Sequence, residues 1–333
     1  MNEDTSLYAA FTKLNQVTNV KTWISVGGFD FTTNHPKAWT EMVSTATNRA
    51  AFITSVVEFM KTHGFQGIDL DWEYPYDEKR GGSPDDMTNL VQLVADMRHN
   101  EEFGRNFGIS VTLAPDIWYL QHFDAKGLLQ HADWLGFMSY DLHGIWDANL
   151  PQLGKKVFGQ TDIHDIETDV MPLWYGLVPS DMARVNFGLA LYGRGYTLAD
   201  SSCTKADGSC LWTKGSKPAP CSAEEGIMSL TEIQEVISRN GLIPTALDSG
   251  HGKSMMKQIT WDDQWIGYDD DETIKMKTEY ASSRCFGGTM AWSVDLYSKP
   301  SSTDDSESAD GNPFSIKNPV ASCSWSSMWY VQN

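Results

Sequence analysis

The segment Gly64-Phe-Gln-Gly-Ile-Asp-Leu-Asp-Trp-Glu-Tyr-Pro75 alternates acidic and apolar side chains. If residues 67–73 form a β-strand, Asp69, Asp71 and Glu73 project from one face of it. The side chains between them are apolar and project from the other face: Ile68, Leu70 and Trp72. This apolar face argues against a solvated edge strand and predicts a buried strand that carries a row of acids.

Three carboxylates on one strand face point to acid–base chemistry. Like charges at this spacing raise one another's pKa, so at least one group is expected to hold a proton near neutral pH, as a general acid must. Glu73 falls at the carboxyl end of the predicted strand, where parallel sheets place their reactive groups. A hard-cation site built from the same carboxylates is the alternative.

Apolar runs of strand length recur along the chain. They are residues 21–26, 67–72, 108–114, 134–140, 185–192 and 288–294. Helical i, i+3, i+4 apolar spacing occurs between them at residues 48–63, 87–98 and 163–177. Apolar strands that alternate with helices predict a parallel sheet covered on its faces, either doubly wound or a (β/α) barrel.

Residues 197–276 interrupt this alternation and are predicted to be an inserted domain, with one helix at 228–240. Its cysteines crowd into a stretch rich in Gly, Ser and Pro: Cys203, Cys210 and Cys221. This crowding favours a local disulfide, and therefore an oxidising compartment, over buried thiols. Residues 299–333 are rich in serine and acidic side chains and are predicted to be a linker and tail.

Composition and spacing argue against several classes of partner. The 25 Lys and Arg residues against 44 Asp and Glu give a net charge of −19, which repels nucleic acid and anionic membranes. No apolar stretch has the length of a membrane span, and residues 1–8 lack the features of a signal peptide. Gly27-Gly28 and Gly193-Arg194-Gly195 lack phosphate-loop spacing, so close backbone packing is expected there. The histidines lack zinc-binding spacing, and no metal or other cofactor is predicted.

The acidic segment strongly resembles the DxxDxDxE signature of glycoside hydrolase family 18 chitinases. Asp69, Asp71 and Glu73 match its second Asp, its third Asp and its Glu. Other segments resemble further strands of the family, in the family's order: Ser25-Val-Gly-Gly28, Phe137-Met-Ser-Tyr-Asp141, Leu191-Tyr-Gly-Arg194 and Gly287-Gly-Thr-Met-Ala-Trp292. The sequence 139–147 and the cysteine-rich insertion look most like the fungal, killer-toxin-like branch.

This resemblance covers residues 6–297 and implies a (β/α)8 TIM barrel with an α+β insertion domain between the last two strands. The barrel would comprise residues 1–196 and, for its last strand, residues 277–298. The insertion domain would comprise residues 197–276. Residues 1–24 leave little room for the two strands and the helix that precede the Ser25–Gly28 segment in the family. The barrel is therefore expected to be N-terminally incomplete, with unpaired strand edges.

The resemblance also implies an endochitinase that uses no enzymic nucleophile. Glu73 would protonate the glycosidic oxygen while the carbonyl oxygen of the substrate's acetamido group attacks C1 to give an oxazolinium ion. Asp71 would hold the acetamido N–H and Asp69 would share a proton with Asp71. Tyr140 would hydrogen-bond the acetamido oxygen. Gln66 replaces the signature's first Asp, and since an amide can still hydrogen-bond, tuning rather than loss of chemistry is expected.

A set of sugar-binding side chains follows from the same resemblance. Trp292 would stack on the sugar, and the other members are Met138, Asp141, Trp146, Tyr192 and Arg194. Further candidate sugar platforms, each equally well explained by packing in the core, are Trp118, Trp146, Trp212, Trp261 and Trp265. His143 is interpreted as structural.

The expected partner is chitin or a chitooligosaccharide, bound by a secreted monomer. The alternative to an active enzyme is a non-catalytic chitin-binding module or an inactive truncated homologue. The retained Glu73 favours the enzyme, and the missing strands favour the alternative.

Overall fold

The computed structural model describes residues 5–250 and 254–297. The predicted linker and tail at 299–333 lie outside the described residues. Among the described residues the chain forms two compact units. The first unit contains residues up to 137 together with 173–186, and the second contains residues 138–172 and those from 187 onward.

The described strands, in chain order, are β1 (Trp23–Gly27), β2 (Gly67–Asp71), β3 (Gly108–Leu113), β4 (Trp134–Phe137), β5 (Lys156–Phe158), β6 (Val185–Ala190), β7 (Tyr192–Leu198), β8 (Asp207–Gly215), β9 (Ile227–Ser229), β10 (Thr245–Ala246), β11 (Lys257–Trp261), β12 (Gln264–Tyr268) and β13 (Gly288–Trp292). The described α-helices are α1 (Thr5–Thr12), α2 (Leu14–Val17), α3 (Phe29–Asn34), α4 (Ala38–Val43), α5 (Ala46–His63), α6 (Asp86–His99), α7 (Ile117–Leu120), α8 (Ala125–Leu128), α9 (Ile163–Asp165), α10 (Met171–Leu177), α11 (Leu230–Asn240) and α12 (Asp271–Ser283).

Six of these strands form one sheet in the order β1-β2-β3-β4-β6-β13. Strands β1 to β4 pair in parallel, and helices lie between them in the chain, as in a (β/α) barrel. Each of the six apolar runs contains one strand of this sheet, so that prediction is confirmed. Several strand ends are corrected: β4 ends at Phe137 and β13 at Trp292, short of the predicted 140 and 294. β2 ends at Asp71, two residues before Glu73, and β6 ends at Ala190, since Tyr192 begins a strand of another sheet.

The strand β2 is buried on both faces, as its sequence predicts. Ile68 and Leu70 are fully buried, and Asp69 between them is 1% exposed. The ring of Trp72, just after the strand, stacks on Trp39 of α4 with a centroid separation of 5.4 Å. Because a buried carboxylate needs hydrogen-bond donors, the acidic face of β2 requires polar partners on the neighbouring strands.

The predicted helices are present with small changes at their ends. α5 begins after Thr45, whose side chain accepts the Asn48 N–H, and it ends at His63, before Gly64, where φ is +84°. The predicted helix at 163–177 consists of α9, a π-helical stretch at Ile166–Val170 and α10. None of the described helices has the length and apolarity needed to cross a membrane.

The second sheet belongs to the second unit and pairs its strands antiparallel, in the order β10-β11-β12-β7-β8-β5, with β9 beside β7. Residues 197–276 supply most of this sheet, whereas β5 and most of β7 lie before them. The proposed domain boundaries remain a prediction. Gly193 and Gly195 allow close packing of β7 on β12, since a Cβ atom on either would lie within 2.6 Å of an Ile266 carbon.

Aromatic rings fill the core of the second sheet. Tyr196 stacks on Trp212 and on Trp265 with centroid separations of 5.2 and 5.7 Å. Both tryptophans are buried, so the interpretation of these two as sugar platforms is wrong and the packing interpretation is right. The predicted local disulfide is present and joins Cys203 to Cys210, while Cys221 is a free, exposed thiol.

Candidate active site

Asp69 is fixed on the parallel sheet by three hydroxyl groups of neighbouring strands. Ser25 of β1 and Ser110 of β3 pair with Asp69 in register, so their side chains project from the same face. Ser110 donates to one carboxylate oxygen at 2.7 Å. Thr112 and Ser25 donate to the other at 3.0 and 3.1 Å. Both oxygens of this buried carboxylate are therefore satisfied by the protein.

Asp71 lies one step further along the same face and has a different environment. It is 6% exposed, and its Oδ1 atom has no hydrogen-bond donor among the described residues. Burial, followed by the charges of Glu73 and Asp69, raises the pKa of Asp71 well above its usual range. This direction agrees with the expectation from the alternating sequence that one of the three acids holds a proton.

The Gly27-Gly28 pair lets the backbone of β1 approach Asp71. The Gly28 N–H donates to the Asp71 carbonyl at 2.8 Å. A Cβ atom on Gly27 would lie 2.0 Å from the same carbonyl oxygen, and φ at Gly27 is +115°. Only glycine fits there, so the expectation of close backbone packing is confirmed.

Glu73 is half-buried and lies beyond the strand end. Burial, followed by the charges of Glu73 and Asp116, raises the pKa of the neighbouring Tyr74 well above its usual range. The Tyr74 ring stacks on Tyr119 of α7 at 4.3 Å. The peptide bond between Glu73 and Tyr74 is cis. Neither tyrosine is among the predicted site residues, because nothing in the sequence shows that Tyr74 and Tyr119 stack on each other.

Gln66, the residue before β2, forms hydrogen bonds with Thr22, the residue before β1. Its side-chain Oε1 accepts the Thr22 N–H at 3.2 Å, and its backbone N–H donates to the Thr22 carbonyl at 2.8 Å. The amide that replaces the signature's first Asp therefore does form a hydrogen bond, and it forms it with the backbone.

In the second unit, both carboxylate oxygens of Asp141 accept hydrogen bonds from neighbouring side chains. Arg194 donates to both carboxylate oxygens at 2.8 Å, and the Tyr192 hydroxyl donates at 2.7 Å. The guanidinium also lies over the Trp146 ring, 4.7 Å from its centroid. Four of the predicted sugar-binding residues are thus in direct contact with one another. Tyr192 and Arg194 lie on β7 of the antiparallel sheet, which corrects their expected place on a barrel strand.

The charge balance of this cluster follows from burial and pairing. Burial lowers the pKa of the Arg194 guanidinium, but Asp141 outweighs this and raises it overall. Burial and then the Asp141 charge raise the pKa of Tyr192 well above its usual range. Arg194 is therefore charged and Tyr192 is a neutral hydrogen-bond donor.

Three further predicted site residues belong to the second unit: Met138, Tyr140 and Trp292. Tyr140 is 6% exposed and packs edge-on against Tyr192, with centroids 6.2 Å apart. Met138 is buried. Trp292 is half-buried, and its carbonyl accepts the Leu191 N–H at 2.8 Å. The buried Gln160 is not among the predicted residues, and its amide donates to the Tyr192 carbonyl at 3.0 Å.

His143 lies between two carboxylates of the second unit. Its Nδ1 atom is 2.9 Å from Asp147 and its Nε2 atom is 3.5 Å from Asp165. Burial lowers the pKa of His143, but the hydrogen bonds to Asp147 and Asp165 outweigh it and raise the value to about 9. Both ring nitrogens have protein partners, which agrees with a structural role.

The chain belongs to the glycosyl hydrolases family 18, whose sequence profile matches residues 2–296. It is 29% identical over 300 residues to an endochitinase of Manduca sexta, a match that covers 84% of this chain and 50% of that relative. It is 26% identical over 292 residues to chitotriosidase-1 of Mus musculus, covering 83% and 58%. The chain thus spans about half to three-fifths of the length of these curated relatives.

Solved structures show the same fold. The structure matches a mutant of catalytic domain 2 of the Ostrinia furnacalis group II chitinase, solved in complex with a chitooligosaccharide, (NAG)5. The TM-score is 0.77 at 26% identity, and the match covers 88% of this chain and 76% of the other. The parallel sheet with its alternating helices is therefore of the TIM-barrel class found in family 18.

Proposed function

We propose that the protein is an endochitinase that cleaves β-1,4 linkages between N-acetylglucosamine units and retains the anomeric configuration. The observation that carries this proposal is the buried Oδ1 atom of Asp71, which lacks a donor among the described residues although it lies two residues from the half-buried Glu73. A buried acceptor without a donor is costly, and the acetamido N–H of a bound sugar supplies one.

The reaction proceeds in two steps. In the first, Glu73 gives its proton to the glycosidic oxygen, the carbonyl oxygen of the substrate's acetamido group bonds to C1, and the bond from C1 to the leaving group breaks. Asp71 accepts the acetamido N–H and stabilises the positive oxazolinium ion. In the second step, water attacks C1, the ring of the oxazolinium ion opens, and Glu73 takes the proton of the water.

The other residues of the family pattern support this chemistry. Asp69, held by its three hydroxyls, shares a proton with Asp71, and Tyr140 hydrogen-bonds the acetamido oxygen. Trp292 stacks on the sugar, and Met138, Asp141, Trp146, Tyr192 and Arg194 complete the binding residues. The support for these roles is the match of each residue to the family's motifs, together with the contacts described above for each unit.

Three finer assignments belong to the same proposal. The order of the matching motifs assigns β1, β2, β3, β4, β6 and β13 to the third to eighth strands of the family's barrel. The sequence 139–147 and the cysteine-rich insertion support assignment to the fungal, killer-toxin-like branch. The Cys203–Cys210 disulfide supports secretion, because such bonds persist in oxidising compartments.

The test is hydrolysis of chitotetraose, with product anomers followed by NMR. The wild-type protein is expected to release β-anomers first, and Glu73→Gln is expected to lower kcat by about 10³-fold, since it removes the general acid. Glu78→Gln, a change at an exposed position of the same loop, is the matched control and should retain full activity. Binding of chitotetraose without turnover by the folded wild-type protein would instead establish a chitin-binding module.

A further inference from the structure

Gln160 is a buried amide that joins two parts of the second unit, the segment at residues 139–142 and the strand β7. It is 1% exposed. Its Nε2 atom donates to the Tyr192 carbonyl at 3.0 Å, and its Oε1 atom accepts the Asp141 N–H at 3.4 Å. Its main-chain carbonyl accepts the Leu142 N–H at 2.9 Å. One residue therefore satisfies three main-chain groups, and two of them belong to the segment that carries Asp141.

The partners of the Gln160 amide determine which way it faces. A carbonyl can only accept and a backbone N–H can only donate, so Nε2 faces Tyr192 and Oε1 faces Asp141. An apolar side chain of the same shape would satisfy neither group. Because a buried main-chain group without a partner is costly, this position is specified by hydrogen bonding and not by packing alone.

The 139–142 segment has a backbone conformation that needs such support. At Asp141 φ is +59°, in the left-handed region where residues other than glycine are uncommon. Such a conformation persists where its surroundings hold it. On one side the Ser139 hydroxyl donates to the Gly188 carbonyl at 2.8 Å, and on the other side Gln160 holds the chain. The main chain of Tyr140, between these two points, is therefore fixed from both sides.

Gln160 is itself anchored, through the next residue, to a buried ion pair. The Thr161 hydroxyl donates to Asp269 at 2.7 Å and accepts from Lys277 at 2.6 Å. Lys277 also donates to both Asp269 oxygens, at 2.6 and 2.7 Å. The two charged side chains are 1% and 2% exposed. Because the members of a buried, mutually hydrogen-bonded group have little freedom to move, Thr161 fixes the chain at Gln160.

We propose that Gln160 is a positioning residue, which holds the 139–142 segment against β7 in the conformation that brings Tyr140 and Asp141 to the substrate. This inference rests on the proposed roles of Tyr140 and Asp141 in binding the reacting sugar. Gln160 is not assigned to contact the substrate. It acts through the main chain of the segment.

The expected effect is on kcat rather than on KM. The acetamido oxygen that Tyr140 would hydrogen-bond is the proposed nucleophile, so a displaced Tyr140 misplaces the attacking atom. Gln160→Met, which keeps the shape of the side chain and removes its hydrogen bonds, should lower kcat on chitotetraose by about 10-fold. KM should change little, because the other sugars of the chain bind as before.

The matched control is Gln264→Met in the same unit. Gln264 is 0% exposed, and its amide accepts the Lys217 N–H at 2.8 Å and donates to Thr197 and Asp263 at 3.1 and 2.7 Å. Both variants should lower the melting temperature, since each leaves buried polar groups without partners. Rates measured well below both melting temperatures should show a lower kcat for Gln160→Met and a kcat equal to wild type for Gln264→Met.

The outcomes separate this inference from the proposed function. A wild-type kcat in Gln160→Met with a lowered melting temperature would show a structural role only and overturn the inference. An equal fall of kcat in both variants would overturn it too. If Gln160→Met does not fold, Gln160→Asn, whose amide is one methylene too short to reach both partners, is measured against the same expectations. If the folded wild-type protein does not hydrolyse chitotetraose, the proposed function itself fails and this inference fails with it.

Discussion

Asp71 of the first unit and Asp141 of the second are both carboxylates at predicted site positions, but the protein treats them in opposite ways. Asp141 accepts three short hydrogen bonds, two of them from one guanidinium. Asp71 is buried with an oxygen that lacks a donor among the described residues. A carboxylate whose oxygens accept hydrogen bonds stabilises the fold around it. A buried oxygen without a donor instead costs free energy, and a donor on a ligand can offset that cost. The contrast distinguishes a carboxylate whose oxygens already accept hydrogen bonds from the protein from one that still offers an acceptor to a substrate.

The largest expected effect is on catalysis, from Asp71→Asn. The change removes the negative charge that stabilises the oxazolinium ion, so kcat/KM on chitotetraose should fall by about 10²-fold to 10³-fold. Because the carboxylate is buried without a donor, the melting temperature should stay the same or rise. Calorimetry and initial rates measure the two effects. A clear loss of stability with full activity would show that Asp71 stabilises the fold and does not serve the reaction, which contradicts the contrast with Asp141.

Asp141→Asn is expected to act mainly on stability. Arg194 would lose its ionised partner, and because the side chains of Arg194 and Asp141 are 16% and 32% exposed, the cost should be about 1.5–3 kcal/mol. Urea unfolding measures the change in the free energy of unfolding. Glu235→Gln is the control, since its pair with Arg239 is 3.9 Å long and exposed and should contribute less than about 1 kcal/mol. Equal effects of the two variants would remove the distinction between the carboxylates.

A third prediction concerns the pH dependence of stability in the second unit, where His143 lies between two carboxylates. Its pKa is raised in the folded protein to about 9. Its stabilising effect is therefore fully present below the unfolded value of about 6.5 and is lost as pH rises toward 9. The free energy of unfolding should fall by up to about 3 kcal/mol across that interval. In His143→Gln this fall should be absent, as measured by urea unfolding at several pH values. An unchanged slope in the variant would show that another group titrates.

The sequence predicted the parallel sheet well, because its strands are buried and rich in apolar side chains. It also predicted the acid row of β2, since a period of two fixes which side chains share a face. It did not predict that Tyr192 leaves the parallel sheet, because a Gly-containing strand that follows β6 after a single residue looks like the continuation of one apolar run. Contacts between segments that are far apart in the sequence were not predicted either. The stacking of Tyr74 on Tyr119 depends on how a loop and a short helix meet.

The family resemblance and the bare sequence contributed different parts of the site. Residue alternation alone pointed to Asp69, Asp71 and Glu73, whereas Tyr140 and Arg194 came only from matching motifs. Neither source distinguished the buried Trp212 and Trp265 from the exposed Trp118. Tryptophan suits both a core and a sugar platform, and only its packing in the fold decides between them.

The most direct test of the central claim is the titration of Asp71 in the free protein by ¹³C NMR of labelled aspartate carboxyl groups, with the resonance assigned by its loss in Asp71→Asn. The structure predicts a midpoint well above the ordinary range of aspartate, because burial and the charges of Glu73 and Asp69 oppose ionisation. It also predicts that a bound chitooligosaccharide shifts this resonance. A midpoint at or below the ordinary value would contradict the account, since Asp71 would then already be satisfied by the protein.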